Sequence, residues 1–109
     1  MSMSDRIHQI LAFLADTPND PFLNYALAQE WWKAGEKENA ILKYWWLIEQ
    51  HPHYVATYYH LGKCLIDKGE KELAMEIFDK GIEIARSMKE QHALSELQSA
   101  KLALEFDED

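Results

Sequence analysis

The chain has 109 residues, a formal net charge of −8 and one cysteine, Cys64. This length suits one domain with a modest core, and an apolar share of 48% favours a folded chain over a disordered one. One cysteine excludes an intramolecular disulfide and suits a reducing, cytoplasmic location. Basic residues are scattered and outnumbered by acidic ones, so neither nucleic acid nor a membrane surface is expected as a partner.

Helical periodicity predicts six helices. Apolar residues from Ile7 to Leu14 recur at i, i+3, i+4 and i+7, so residues 5–15 are predicted as an amphipathic helix. In the turn that follows, Asp20 can cap the next helix and Pro21 can occupy its first position. The other helices are predicted at about 21–34, 37–50, 54–68, 71–86 and 90–105, and residues 106–109 as a solvated acidic tail.

No apolar stretch of the sequence approaches the about 20 residues that cross a membrane. The first residues, Met1 to Arg6, lack a basic region followed by an apolar block, so a secretory signal is not expected.

One short string occurs twice, 34 residues apart. Residues 35–40 read Gly-Glu-Lys-Glu-Asn-Ala, and residues 69–74 read Gly-Glu-Lys-Glu-Leu-Ala. A period of this size is typical of repeat architectures, in which each repeat is one supersecondary unit. We predict that each glycine ends a helix in a left-handed conformation and that the glutamates lie at the positive end of the next helix.

Residues 21–54 and 55–88 share small and aromatic residues at matching positions. These are Leu27-Ala28, Trp31, Ala40, Tyr44 and Pro52 in the first segment, and Tyr58, Leu61-Gly62, Ala74, Phe78 and Gly81 in the second. The pattern resembles the tetratricopeptide repeat, a 34-residue pair of antiparallel helices. It departs from the family at Asn24, Leu47, Leu65 and Arg86. Because proline is expected at Arg86, residues 86–91 form the least defined boundary.

The resemblance implies an all-α fold, a right-handed superhelical stack of antiparallel helix pairs that forms an α-solenoid of about six helices. We predict a single domain over residues 1–109, with repeats at 21–54 and 55–88. One helix pair cannot bury both of its faces, so residues 5–15 and 90–105 are predicted as capping helices. An ordinary helical bundle with a chance period is the alternative.

The resemblance also implies a concave groove lined by the first helix of each repeat. Aromatic rings with amides and a few cations suit an extended peptide or an inserted helix. We therefore predict an adaptor whose partner is a protein or peptide. The alternatives are that these side chains pack within the chain, or that the 90–105 helix fills the groove. The groove residues so assigned are Phe22, Tyr25, Gln29, Trp32 and Lys33, followed by Ala56, Tyr59, Lys63, Ile66 and Asp67.

Two apolar residues of the 37–50 helix fall outside its main apolar face. Leu42 and Trp46 lie on the side expected to be convex, where the second repeat has Glu76 and Lys80. Exposed apolar surface often marks an interface. The alternative function is therefore a self-associating module, a homodimer joined by this patch or by the end faces. For Trp46, the other interpretation is that its ring lies flat on a long neighbouring side chain.

The sequence contains no motif for catalysis, metal binding or cofactor binding. His51 and His53 flank Pro52 without a third ligand at suitable spacing. Cys64 is expected to pack as a small hydrophobic residue. No nucleophile motif, glycine-rich phosphate loop or pair of catalytic carboxylates is found in the sequence, so we expect no enzymatic activity.

Overall fold

The computed structural model describes residues 3–107, with side chains from residue 5 onward. In this range it is all-α, as predicted, and contains no strand. The observed ends lie within two residues of the predicted ones. The last two residues of the predicted acidic tail lie outside the described residues. The helices are α1 (Met3–Asp16), α2 (Pro21–Lys33), α3 (Lys37–Gln50), α4 (Ala56–Asp67), α5 (Lys71–Ser87) and α6 (Gln91–Glu105).

The chain divides into two compact units, Met1–Tyr54 and Val55–Asp109. In the first unit, α2 packs against α1 and α3. In the second, α5 packs against α4 and α6, and α6 also touches α4. The division into two repeats with capping helices in one domain stays a prediction.

Small residues lie where the paired helices cross. In the first unit, Ala28 on α2 and Ala40 and Tyr44 on α3 are all fully buried. In the second, a Cβ at Gly62 would overlap the ring of Phe78, and a Cβ at Gly81 would lie 2.5 Å from the Cβ of Tyr58. The close approach of α4 and α5 therefore depends on the missing side chains.

Local capping explains where the helices begin and end. The backbone N–H of Leu23 donates to Asp20 Oδ1 at 2.9 Å, and Pro21 is the first residue of α2, as predicted. Gly35 and Gly69 have φ values of +87° and +80°, which confirms their left-handed conformation.

Asn24 stands where the second repeat has the buried ring of Tyr58. Its side chain is only 1% exposed. Asn24 Nδ2 donates to the carbonyl oxygens of Pro18 at 3.0 Å and of Asp20 at 2.8 Å. The departure from the family pattern thus has a structural role, because the amide holds the turn between α1 and α2 against the start of α2.

A third turn of the glycine type joins α5 to α6 without a glycine. Lys89 has φ +59°. Its N–H donates to Arg86 O, and the N–H of Glu90 donates to Ala85 O. The turns at Gly35 and Gly69 have the same two hydrogen bonds, one from the glycine and one from the residue after it. This turn ends α5 at Ser87, one residue beyond the predicted end, in the segment where the absent proline leaves the boundary least defined.

Lys89→Gly should raise the free energy of unfolding by roughly 1 kcal/mol, because a left-handed conformation is costly for any residue with a Cβ. Urea denaturation followed by circular dichroism would measure the change. Gly69→Ala is the matched control, because it adds a Cβ at the equivalent position of another turn, and it should lower stability by about 1 kcal/mol. A lower urea midpoint for Lys89→Gly than for the wild type would contradict the left-handed conformation of Lys89.

Candidate functional site

One face of α2 remains accessible although α2 packs against two helices. Its residues follow the spacing i, i+3, i+7 and i+10, with one further residue at i+11. The side chain of Phe22 is 63% exposed, Lys33 is also exposed, and the other three are half-buried. We name this surface the α2 face, and it consists of Phe22, Tyr25, Gln29, Trp32 and Lys33.

Tyr25 is the member of the α2 face that is most engaged within the chain. The centroid of its ring lies 6.2 Å from that of Tyr44 and 5.5 Å from that of Tyr54. Burial, and secondarily the charge of Asp20, raises the pKa of Tyr54, so this hydroxyl stays neutral. For Tyr25, these contacts favour the predicted alternative of packing within the chain.

Lysine ammonium groups lie beside the C-terminal part of the α2 face. Lys37 Nζ lies 5.0 Å from the centroid of the Trp32 ring. Lys33 Nζ lies 3.6 Å from Glu30 Oε2, and Arg6 Nη1 lies 3.4 Å from the same oxygen. Glu30 is buried, and sequence reasoning missed it. Its carboxylate ties α1 to α2, while the aromatic ring and the lysines stay at the surface.

The α4 face, which consists of Ala56, Tyr59, Lys63, Ile66 and Asp67, repeats this chemistry in the second unit. Tyr59 and Ile66 are half-buried, whereas Lys63 and Asp67 are exposed. Lys63 Nζ lies 5.8 Å from the centroid of the Tyr59 ring. The α6 helix touches α4, but the exposure of Lys63 and Asp67 means that it does not cover this face.

His60 lies beside the α4 face on the side of α6. Its ring meets that of Tyr59 edge-on at 5.3 Å between centroids. Burial lowers the pKa of His60, and the negative charge of Glu96 on α6 opposes this shift. The neutral imidazole therefore belongs to the packing of the second unit.

Leu42 and Trp46 border a shallow depression of about 230 Å³ between α2 and α3. Leu42 is 65% exposed, and Trp46 is half-buried. Lys43 Nζ lies 4.7 Å from the centroid of the Trp46 ring, so Trp46 does lie against a long neighbouring side chain. Leu42 has no such cover. We name this surface the α3 patch, lined by Trp31, Asn39, Leu42, Lys43 and Trp46.

Two comparisons establish the relationship to known proteins. A family profile of the tetratricopeptide repeat matches residues 55–88. A tetratricopeptide repeat domain protein from Salinibacter ruber, solved in solution, is 45% identical in sequence to this chain. The match covers 84% of this chain and 92% of the Salinibacter chain, with a TM-score of 0.81. The chain belongs to the tetratricopeptide repeat family. The predicted fold class, a tetratricopeptide-like α-solenoid of about six helices, is thereby confirmed.

Other solved structures share the tetratricopeptide repeat fold. A crystal structure of a tetratricopeptide repeat domain protein from Salinibacter ruber is 45% identical, covering 80% of this chain and 98% of that one with a TM-score of 0.77. The type III secretion chaperone SycD of Yersinia enterocolitica, in complex with a peptide of the translocator YopD, is 18% identical. The match covers 98% of this chain and 82% of the SycD chain, with a TM-score of 0.83. At this identity the likeness supports a shared fold and nothing further. No curated protein gives a significant match.

Grouped metal ligands and membrane-spanning helices are both absent from the part of the chain that the structure describes. Among residues 3–107, no three His, Cys, Asp or Glu side chains are grouped to hold a metal ion. His51 and His53 instead border a depression of about 380 Å³ at the end of α3. Cys64 is buried, as expected. Within the same residues, every helix is too short or too polar to span a bilayer.

Proposed function

We propose that the chain is a cytoplasmic adaptor that binds a peptide or protein segment through the first helix of each repeat, by the α2 face and the α4 face. One observation carries the proposal. Each face has an aromatic ring that is only half-buried, with a lysine ammonium over it: Lys37 over Trp32 at 5.0 Å and Lys63 over Tyr59 at 5.8 Å. Tyrosine and tryptophan supply much of the binding energy at protein interfaces.

The chemistry of these faces suits a segment of mixed polarity. Phe22 and Trp32 on the α2 face and Ile66 on the α4 face offer apolar surface, and Gln29 and Lys63 offer hydrogen-bond donors on the same two faces. An extended chain or an amphipathic helix can use both kinds of contact at once. The Yersinia chaperone with the same fold is seen with a peptide of its translocator, which supports a peptide as the partner here.

Phe22→Ser should weaken peptide binding at least about 10-fold, because Phe22 offers the largest exposed apolar side chain of the α2 face. The probe is a set of peptides selected from a phage-displayed random library on the wild-type protein, and fluorescence anisotropy measures each affinity. Tyr59→Ala tests the α4 face in the same way. Neither substitution should disturb the fold strongly, since Phe22 is 63% exposed and Tyr59 is half-buried.

Phe13→Ser provides the matched control. Phe13 is 64% exposed on α1, so it resembles Phe22 in size and exposure but belongs to neither face. Its substitution should leave the affinities within about twofold of wild type. Equal losses for Phe13→Ser and Phe22→Ser, or unchanged affinities for both Phe22→Ser and Tyr59→Ala, would sink the proposed binding faces.

A second candidate function is self-association as a homodimer. The observation in its favour is Leu42, which is 65% exposed in the middle of α3 beside two tryptophans of the α3 patch. The equivalent residues of the second repeat, Glu76 and Lys80, are exposed charges. An adaptor that dimerises through α3 keeps its α2 and α4 faces for other partners.

A further inference from the structure

We propose that two copies of the chain pair through their α3 patches, with the two α3 helices antiparallel and Trp46 of each copy at the two-fold axis. The inference rests on the second candidate function. It adds the direction of pairing and the charged contact that fixes the register.

Leu42 is the apolar member of the α3 patch that the described residues leave largely uncovered. Leu42 is 65% exposed, and the depression beside it is walled by Trp31 and Trp46. Burial of apolar surface of this kind against a second surface is favourable, because it removes the apolar side chains from water. A single leucine at the surface is ordinary, but a leucine between two tryptophans is a concave apolar site.

Two charges on α3 point to a second copy as the occupant. Lys43 is half-buried, with its ammonium 4.7 Å from the centroid of the Trp46 ring, and burial lowers its pKa. Glu49 is an exposed carboxylate on the other side of Trp46. Among the described residues, neither Lys43 nor Glu49 forms an ion pair. A partly desolvated ammonium at an apolar site favours a partner that brings both apolar surface and a carboxylate.

The positions of these charges are symmetric about Trp46. Lys43 precedes Trp46 by three residues, and Glu49 follows it by three. Two antiparallel helices that cross at Trp46 therefore bring Lys43 of each copy to the level of Glu49 of the partner subunit. Because the Lys43 chain lies across the Trp46 ring, its ammonium lies toward the centre of the contact, and the side chain of Glu49 of the partner subunit turns inward from the opposite edge to meet it.

An interface of this kind meets the requirement of a two-fold dimer, in which one surface must complement itself. In the antiparallel direction the two helix dipoles also point in opposite directions, which is the favourable arrangement for neighbouring helices. One helix face covers less than the about 800 Å² per partner of a standard interface. The dimer is therefore weak, with a dissociation constant in the micromolar range or above.

Sedimentation equilibrium over about 10 µM to about 1 mM of the whole chain tests the proposal. The wild type should pass from monomer to dimer, and Leu42→Glu should remain monomeric. Leu102→Glu is the matched control, because Leu102 is a 54% exposed leucine on α6, and it should dimerise as the wild type does. Circular dichroism confirms that each variant is folded.

Charge reversal tests the register. Lys43→Glu alone places two carboxylates opposite each other, Glu49→Lys alone places two ammonium groups opposite each other, and each should weaken the dimer at least about 10-fold. An equimolar mixture of the two variants should regain the wild-type affinity, since both contacts in the mixed dimer then join opposite charges.

Each other outcome overturns a defined part of the proposal. A monomeric wild type throughout the range overturns self-association itself and assigns the patch to a different partner. A Leu42→Glu dimer as tight as wild type moves the interface elsewhere. Failure of the mixture to regain the affinity overturns the register. Peptide binding by the α2 and α4 faces is measured separately and does not depend on these results.

Discussion

Phe78→Ala should lower the free energy of unfolding by about 3–5 kcal/mol, a large share of the about 5–15 kcal/mol that holds a domain of this size together. The ring is fully buried. It fills the space beside Gly62, where any Cβ would overlap it. Removing the ring leaves a cavity, because the backbones of α4 and α5 cannot close over it completely.

The same geometry predicts that Gly62→Ala changes sign with its background. In the wild type the new methyl group collides with the Phe78 ring, and overpacking of this kind costs about 1–3 kcal/mol. In the Phe78→Ala background the collision is absent. Alanine then gains about 1 kcal/mol over glycine within a helix, so Gly62→Ala should be stabilising there.

A double-mutant cycle in urea, followed by far-ultraviolet circular dichroism, measures this coupling. Tryptophan fluorescence would report on the wrong unit, because all four tryptophans lie between residues 31 and 46. In the first unit, the equivalent pair is Ala28 and Tyr44, where a methyl group is already accommodated. The matched control Ala28→Gly should therefore be simply destabilising. If Gly62→Ala stabilised the wild type, the ring of Phe78 would not be confined as described.

The helices and their ends were predictable because their signals are local. Asp20 before Pro21 begins α2, and Gly35 and Gly69 end helices through backbone conformations that few other residues adopt. The third such turn was not predictable from Lys89, since lysine has no preference for positive φ. The signal that could have revealed it is Glu90, which follows Lys89 as Glu36 and Glu70 follow their glycines.

Residues whose partners are distant in sequence escaped prediction for a different reason. Glu30 is buried and pairs with Arg6, an exposed cation 24 residues earlier, and no spacing in the sequence connects them. The α2 and α4 faces, in contrast, were assigned from the resemblance to the tetratricopeptide repeat, and helical spacing independently places three residues of each face on one side of its helix. Which of these accessible side chains bind a partner depends on the partner's surface, and for that reason their role stays a prediction.

Asn24→Asp should lower the free energy of unfolding by about 3–5 kcal/mol at neutral pH, although the two side chains have the same shape. Asn24 Nδ2 donates to two carbonyl oxygens, those of Pro18 and Asp20, in a site that is 1% exposed. A carboxylate there replaces the donor with a third acceptor and buries a charge without a partner.

The deficit should depend on pH. Burial and the two carbonyl oxygens raise the pKa of the introduced carboxyl group in the folded state above its unfolded value of about 4. The unfolded variant therefore releases its proton at a lower pH than the folded variant does. Relative to wild type, stability should fall as pH rises from about 4 through the folded-state pKa, and it should be best preserved below that window, where the neutral carboxyl can still donate one hydrogen bond.

Thermal and urea unfolding of the variant and the wild type across this pH range measure the difference. Asn39→Asp is the matched control, because Asn39 is exposed on α3, and its effect should stay within about 0.5 kcal/mol. Asn24→Leu removes the donor without adding charge, so its deficit should be independent of pH and, at neutral pH, smaller than that of Asn24→Asp. If the deficits of Asn24→Asp and Asn24→Leu were equal at every pH, the carboxylate would be reaching solvent. The Asn24 side chain would then not be the buried clamp on the α1–α2 turn.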